Sequence, residues 1–172
     1  MTTPIYPFVG LVGTGAMGRG IAQIAAQGGC QVLLFDAQSG AAEAARTAVQ
    51  EQWQRLQAKG RISEEQLQAW SARLQPVTEM AALKDCTLVV EAIVERLDVK
   101  QAVFAQLEAV VAPDAVLVSN TSSLSVTQIA ASLQRPERFA GLHFFNPVPL
   151  MKVVEVVAGL KTDPALCQAL TA

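Results

Sequence analysis

The chain alternates short apolar runs with longer amphipathic segments, and this pattern predicts alternating strands and helices. Phe8–Val12 is too short and too rich in β-forming residues to be a buried helix. A glycine-rich turn and a helical run through Ala26 follow, and Gly28-Gly29 ends that run. Gln31–Phe35 then predicts a second strand that leads directly to Asp36.

The remaining pattern predicts a pair of helices followed by further strands and helices. Ser63 begins a capping box, which favours the start of the second helix of the pair. The predicted elements are helices over 41–59 and 63–74, an edge strand over 76–78, strands over 87–93, 115–119, 139–145 and 151–157, and helices over 97–111 and 125–133 and from 163 onward. This alternation is typical of an α/β protein with a doubly wound, mostly parallel sheet and an inserted helical hairpin.

Three glycines between the first strand and helix form the pattern G-x-G-x-x-G. Gly13 permits a tight turn, Gly15 leaves the backbone open to a pyrophosphate, and Gly18 lets the helix lie close to the strand. The next helical residues, Ala16 and Met17, offer unpaired N–H groups and the positive end of the helix dipole to phosphates. In this context the glycines predict a Rossmann-type dinucleotide site rather than a turn that binds nothing.

Asp36 indicates which dinucleotide is bound. It follows Gly13 by 23 residues, close to the spacing expected for a carboxylate that binds ribose hydroxyls. Such a carboxylate would repel a 2′-phosphate, and no arginine occurs at 37–39 to attract one. We therefore expect NAD rather than NADP, with a flavin dinucleotide as a minor alternative.

Composition restricts the class of protein. The 172 residues suffice for one domain, and 51% hydrophobic residues favour a well-buried sheet. A net charge of −2 without a basic cluster gives no indication of binding to nucleic acid or to an anionic membrane. We expect no membrane span and a cytoplasmic location, with Cys30, Cys86 and Cys167 as reduced thiols. The single histidine makes an all-protein zinc site improbable, so we expect no metal.

Polar residues follow several of the predicted strands and could face one crevice. Glu91, the residues 119–122 and His143 lie at or near carboxyl ends of strands, where such sheets bind ligands. A single histidine is often only packed, but Glu155 stands in an otherwise apolar strand and needs a partner. A His–Glu pair fixes the imidazole tautomer and suits a base that removes a proton from an alcohol. Ser122 and Asn146 could hold a carbonyl or alkoxide oxygen.

Five stretches in one order resemble the NAD-binding domain of the 3-hydroxyacyl-CoA dehydrogenases. They cover residues 9–18, 88–95, 119–123, 141–149 and 151–156, so the resemblance extends over nearly the whole chain. It implies oxidation of an (S)-3-hydroxyacyl-CoA, such as 3-hydroxybutyryl-CoA, to the 3-ketoacyl-CoA, with hydride transfer to NAD.

The resemblance also implies roles for individual residues. His143 matches the general base and Glu155 its orienting partner. The other matched positions line the reacting end of substrate and nicotinamide (Ser122, Asn146), contact NAD (Glu95, Lys100) and contact the coenzyme A phosphates (Lys59). The Lys59 match rests mainly on the pattern of the helical hairpin.

Members of the family continue into an all-α domain that supplies a further catalytic asparagine and most of a dimer interface. This chain ends at Ala172, so we expect one NAD-binding domain over 1–172 that binds NAD and turns over little, with a homodimer in the full-length form. Two alternatives remain open: a related dehydrogenase acting on a sugar acid, and a non-catalytic NAD-binding module, which leaves His143 and Glu155 without a role. Acyl chain length and the pathway, whether fatty acid β-oxidation, butyrate metabolism or aromatic-acid degradation, also stay open.

Overall fold

The computed structural model describes residues 4–172, which form a seven-stranded sheet. The strands are β1 (Phe8–Val12), β2 (Gln31–Phe35), β3 (Leu74–Val77), β4 (Leu88–Glu91), β5 (Val116–Ser119), β6 (Phe139–Phe144) and β7 (Val154–Val157). Their order across the sheet is β3-β2-β1-β4-β5-β6-β7. Neighbouring strands are parallel from β3 through β6, and β7 pairs antiparallel with β6. The α/β prediction with a mostly parallel sheet is confirmed.

Six α-helices lie within the described residues; five of them connect strands, and the sixth follows the last strand. They are α1 (Ala16–Gln27), α2 (Ala41–Ala58), α3 (Glu64–Ala72), α4 (Leu97–Val110), α5 (Val126–Ala130) and α6 (Pro164–Thr171). The predicted hairpin corresponds to α2 and α3, whose Trp53 and Trp70 rings lie 5.5 Å apart between centroids. Ser63 begins α3 with the capping box that its sequence indicates. Within residues 4–172, no helix has the length and apolar character that a membrane crossing requires.

Alternate residues of the inner strands supply two apolar cores, one on each face of the sheet. Val9 and Leu11 of β1 belong to the core that includes residues of α1, α2 and α6, whereas Val12 belongs to the core that includes residues of α4 and α5. In the same way, Val116 and Val118 of β5 face the first core and Leu117 the second. This two-residue period is what a sheet covered on both faces requires, and it leaves the carboxyl ends of the strands free to form a site.

Several element boundaries differ from the sequence prediction: α5 ends at Ala130 rather than at 133, β4 ends at Glu91 rather than at 93, and two further differences have a clear cause in strand pairing. Leu74, predicted at the end of the second hairpin helix, begins β3 instead, where it is buried and pairs with Val32 of β2. Pairing with a neighbouring strand has overridden the local helical pattern. The last strand is also shorter than predicted, because Phe144, at the end of β6, pairs with Val154 and residues 151–153 have no strand opposite them.

Candidate active site

A crevice runs along the carboxyl ends of the strands and consists of two adjoining cavities. The first, of about 490 Å³, is lined by the glycine turn and by Asp36. The second, of about 360 Å³, is lined by residues that include Ser122, His143 and Asn146. Ala92 and Ile93 line both cavities. An elongated ligand could therefore extend from the glycine turn to His143.

Each of the three glycines of the turn has a different structural role. Gly13 has a φ of +93°, a conformation that side-chain-bearing residues rarely adopt. A Cβ atom on Gly18 would lie 1.9 Å from the carbonyl oxygen of Gly13, so only glycine lets α1 approach β1 this closely. A Cβ atom on Gly15 would meet no described heavy atom within 4 Å. Gly18 thus serves packing, whereas Gly15 leaves room for a ligand at the start of α1.

The first turn of α1 is suited to an anion. Gly15 is the N-cap, and among the described residues no side chain caps this end and no acidic residue occupies its first turn. The N–H groups of Ala16 and Met17 lack partners within the helix, as do all first-turn amides. The positive end of the helix dipole points the same way. A pyrophosphate fits both the space beside Gly15 and these donors.

Asp36 is held in place by the glycine turn itself. The backbone N–H and the hydroxyl of Thr14 both donate to its Oδ2, each at 2.8 Å, and the N–H of Gln38 donates to Oδ1 at 2.9 Å. Burial raises the pKa of Asp36, but the three hydrogen bonds together lower it by more than burial raises it. The pKa of Asp36 therefore lies below its ordinary value. An ionised, oriented carboxylate at this place can accept hydrogen bonds from ribose hydroxyls. The role of Thr14 was missed in the sequence, because it occupies a variable position of the glycine pattern.

His143 and Glu155 form a hydrogen-bonded pair across the last two strands. The two residues are direct partners in the β6–β7 register, and Nδ1 of His143 lies 2.9 Å from Oε2 of Glu155. The side chain of His143 is 19% exposed and that of Glu155 is 56% exposed, because β7 is the edge strand. With Nδ1–H donated to the carboxylate, Nε2 is left to accept a proton.

The remaining residues expected near His143 fall into two groups. Ser122 and Asn146 line the same cavity as the imidazole, together with Met17 from the first turn of α1. Lys59 lies elsewhere, exposed at the C-cap of α2, and is not among the residues that line the two cavities. The structure therefore brings the predicted reacting residues together and leaves Lys59 on the helical hairpin.

Glu95 organises the loop that carries Ser122. Its Oε1 accepts the hydroxyl of Thr121 and the N–H of Ser122, the latter at 3.0 Å, and its Oε2 lies 3.2 Å from Nζ of Lys100. Burial alone would raise the pKa of Glu95, but these hydrogen bonds and the charge of Lys100 lower it to about 2. Glu95 is therefore ionised across the physiological range.

Lys100 is buried, with its side chain 1% exposed, although it lines the second cavity. Its Nζ lies 2.5 Å from Oε1 of Glu91 and also faces Glu95. The ammonium group is thus already paired with two carboxylates, and the direct contact of Lys100 with NAD stays a prediction. Glu91 was recognised in the sequence only as a residue at a strand end; its contacts to Lys100 and Ser119 were missed, because they depend on how α4 and β5 pack.

The cysteines and other metal-binding residue types form no obvious second site. Cys30, Cys86 and Cys167 are all free thiols in the part of the chain that the structure describes. Burial, and secondarily the nearby Asp85 carboxylate, raises the pKa of the Cys86 thiol to about 11. Across residues 4–172, no group of three or more His, Cys, Asp or Glu side chains could hold a metal ion.

Curated relatives and solved structures resemble this chain over nearly all of its length. A 3-hydroxyadipyl-CoA dehydrogenase of Escherichia coli K12 is 46% identical over 94% of the chain and 34% of the relative. A 3-hydroxybutyryl-CoA dehydrogenase of Bradyrhizobium diazoefficiens is 40% identical over 94% of the chain and 55% of the relative. The crystal structure of an (S)-3-hydroxybutyryl-CoA dehydrogenase from Ralstonia eutropha matches with a TM-score of 0.92 and 37% identity, covering 96% of this chain and 58% of that one.

The chain spans between about a third and about a half of the length of these curated relatives. The family model described as "3-hydroxyacyl-CoA dehydrogenase, NAD binding domain" matches residues 8–172. The crevice, with its glycine turn, its open helix terminus and its oriented Asp36, has the features that such a domain needs to bind NAD. The chain belongs to the family of NAD-binding domains of the 3-hydroxyacyl-CoA dehydrogenases.

Proposed function

We propose that this chain is the NAD-binding catalytic domain of an (S)-3-hydroxyacyl-CoA dehydrogenase, which oxidises a substrate such as 3-hydroxybutyryl-CoA to the 3-ketoacyl-CoA. One observation carries the proposal: the hydrogen-bonded pair of His143 and Glu155 adjoins the cavity that continues from the glycine turn. A binding module needs the turn and Asp36 but has no need of an oriented imidazole at the far end of the crevice.

The residues that would hold NAD are distributed along the crevice. Asp36 accepts hydrogen bonds from ribose hydroxyls, and the first-turn amides of α1 bind the pyrophosphate. Glu95 and Lys100, which line the second cavity, contribute to the nicotinamide end. When bound, NAD supplies the acceptor for the hydride that leaves the substrate carbon.

The protein residues handle the proton and the oxygen of the substrate. Nε2 of His143 accepts the proton of the 3-hydroxyl group, while Glu155 holds Nδ1–H and offsets the positive charge that develops on the ring. Ser122 and Asn146 line the same cavity and donate hydrogen bonds to the substrate oxygen. Proton transfer to His143 and these hydrogen bonds would together support the developing carbonyl.

The substrate and assembly belong to the same proposal. Lys59 at the turn of the helical hairpin binds the phosphates of coenzyme A, which its exposed position supports. The full-length form is a homodimer built through an all-α domain that follows these residues. Leu150 and Leu160, 75% and 84% exposed, offer apolar surface on which a further domain could pack. A cytoplasmic location is supported by the three free cysteines.

Single-turnover kinetics of this chain test the catalytic role, because they detect hydride transfer even where steady-state turnover is slow. With protein in excess over NAD, 3-hydroxybutyryl-CoA is added and NADH absorbance is followed. We expect His143→Gln to slow the reaction by about 100-fold or more, with NAD affinity unchanged. The matched variant Glu155→Gln keeps the shape of the pair but removes its charge and has a smaller effect in the same direction. Equal rates for the wild type and His143→Gln would favour the non-catalytic module.

Binding of acetoacetyl-CoA tests the coenzyme A assignment separately. We expect Lys59→Glu to weaken this binding several-fold and to leave NAD affinity unchanged, because the lysine lies outside both cavities. Identical acetoacetyl-CoA affinities would favour a related dehydrogenase acting on a substrate without coenzyme A, such as a sugar acid.

A further inference from the structure

Three charged side chains form a connected cluster at the wall of the second cavity. Nζ of Lys100 lies 2.5 Å from Oε1 of Glu91 and 3.2 Å from Oε2 of Glu95. Glu91 is fully buried and Lys100 is 1% exposed, whereas Glu95 is 37% exposed. Lys100 and Glu95 line the cavity, whereas Glu91 does not line it and contacts Lys100.

The contacts of Glu91 are those of an ionised carboxylate. Its Oε1 accepts the N–H of Ile93 at 2.7 Å in addition to the ammonium of Lys100, and its Oε2 accepts the hydroxyl of Ser119 at 2.6 Å. The hydroxyl oxygen of Ser119 itself accepts the N–H of Thr121, so its proton is directed at Glu91. All three partners donate, and a charged carboxylate is the form that accepts from all of them.

The cluster therefore carries two negative charges and one positive charge. Lys100 alone would balance Glu95, and it is Glu91 that makes the sum negative. A charge in a poorly solvated wall is weakly screened, so it acts on whatever occupies the adjoining cavity. The nicotinamide ring is positively charged in NAD⁺ and neutral in NADH, so the two forms respond differently to this charge.

We propose that Glu91 is a positioning residue that sets the preference of the site for the oxidised cofactor. As the second carboxylate on Lys100 it keeps the cluster net negative, and this charge favours the cationic nicotinamide over the neutral one. The inference rests on the proposed function, because it requires that the nicotinamide end of NAD occupies the second cavity.

Calorimetric titration of the 172-residue chain with NAD⁺ and with NADH tests this inference. The quantity of interest is the ratio of the two dissociation constants, because a general loosening of the site weakens both. We expect Glu91→Gln to shift this ratio by about fivefold or more toward NADH, the effect of one charge beside a partly desolvated site. Glu95→Gln removes the same charge from the partly exposed member and should shift the ratio in the same direction.

Ser119→Ala is the matched control, since it removes a hydrogen bond to Glu91 without changing the charge of the cluster. Its ratio should stay within about twofold of the wild-type value, even if both affinities fall. An unchanged ratio in Glu91→Gln, or in Glu95→Gln if the first variant does not fold, overturns the inference. Failure of the wild-type chain to bind either cofactor would instead contradict the proposed function.

Discussion

Replacement of Glu95 by glutamine provides a stability test that depends on pH. Glu95 accepts hydrogen bonds from Ser122 and Thr121 and faces the ammonium of Lys100. Glutamine keeps the size of the side chain but loses the charge. The variant should therefore weaken the attachment of the Ser122 loop without creating a cavity.

The expected magnitude follows from the pKa of Glu95. A fall from the ordinary value of 4.5 to about 2 corresponds to about 3 kcal/mol of preferential stabilisation of the charged form. Because the side chain is 37% exposed, solvent screening reduces this contribution to about 1–2 kcal/mol. We expect the free energy of unfolding of Glu95→Gln to be lower by this amount near neutral pH.

The sign of the pH dependence follows from the same pKa. A carboxyl group whose pKa is lower in the folded state stabilises the fold fully above its unfolded pKa of 4.5, and this contribution is lost as the pH falls toward about 2. The difference between the wild type and Glu95→Gln should therefore shrink to less than about half between about pH 6 and about pH 3. Urea unfolding followed by far-UV circular dichroism at each pH measures it.

Glu137→Gln is the matched control, because Glu137 is exposed and its carboxylate makes no hydrogen bond or ion pair in the described part of the chain. Its unfolding free energy should stay within about 0.5 kcal/mol of the wild type at every pH. A deficit in Glu95→Gln that is independent of pH would refute the reasoning, since it would come from packing rather than from charge.

Two further predictions concern the core and the cofactor crevice. Phe104, fully buried and in edge-to-face contact with Phe139, should cost about 3–5 kcal/mol of unfolding free energy when replaced by alanine, as measured by urea denaturation. Replacement of the half-buried Leu97 by alanine should cost clearly less, and equal losses would argue against a central place of Phe104 in the core. Thr14→Val removes the hydroxyl that orients Asp36 and should weaken NAD binding by about 2- to 10-fold in calorimetry. The remote Thr171→Val serves as control, and unchanged affinity in Thr14→Val would show that the backbone contacts alone position Asp36.

The fold could be predicted from the sequence where a short local pattern determines the element. The glycine turn, the capping box at Ser63 and the apolar strand runs are patterns within a few residues, and each predicts the right kind of element, with ends that differ from the structure by up to three residues. Leu74 and residues 151–153 were assigned wrongly, because strand pairing with Val32 and the end of β6 decide their conformation. Those partners are distant in sequence, so the hydrophobic periodicity of a segment does not indicate them.

The residues of the site also differ in how far the sequence predicts their contacts. Asp36 and the glycines could be predicted because their spacing follows from the geometry of one strand–helix–strand unit. The approach of His143 to Glu155 was expected from the chemistry of an acidic residue in an apolar strand, and the two side chains are in contact. The contacts of Thr14 with Asp36 and of Glu91 with Lys100 and Ser119 were not predicted, since they depend on side-chain directions set by packing.

The antiparallel pairing of β7 has a consequence for how the site would fail. A parallel neighbour of β6 would need a crossover of a dozen or more residues, whereas the loop over residues 145–153 brings Glu155 back beside His143 in direct register. The acid that steadies the imidazole therefore lies on a four-residue border strand whose outer side is open to water. Fraying of this border under mild denaturant would uncouple the dyad before the inner strands yield. In the proposed reaction, proton transfer would then be lost while the nucleotide-binding strands remain folded, so inactivation would precede melting.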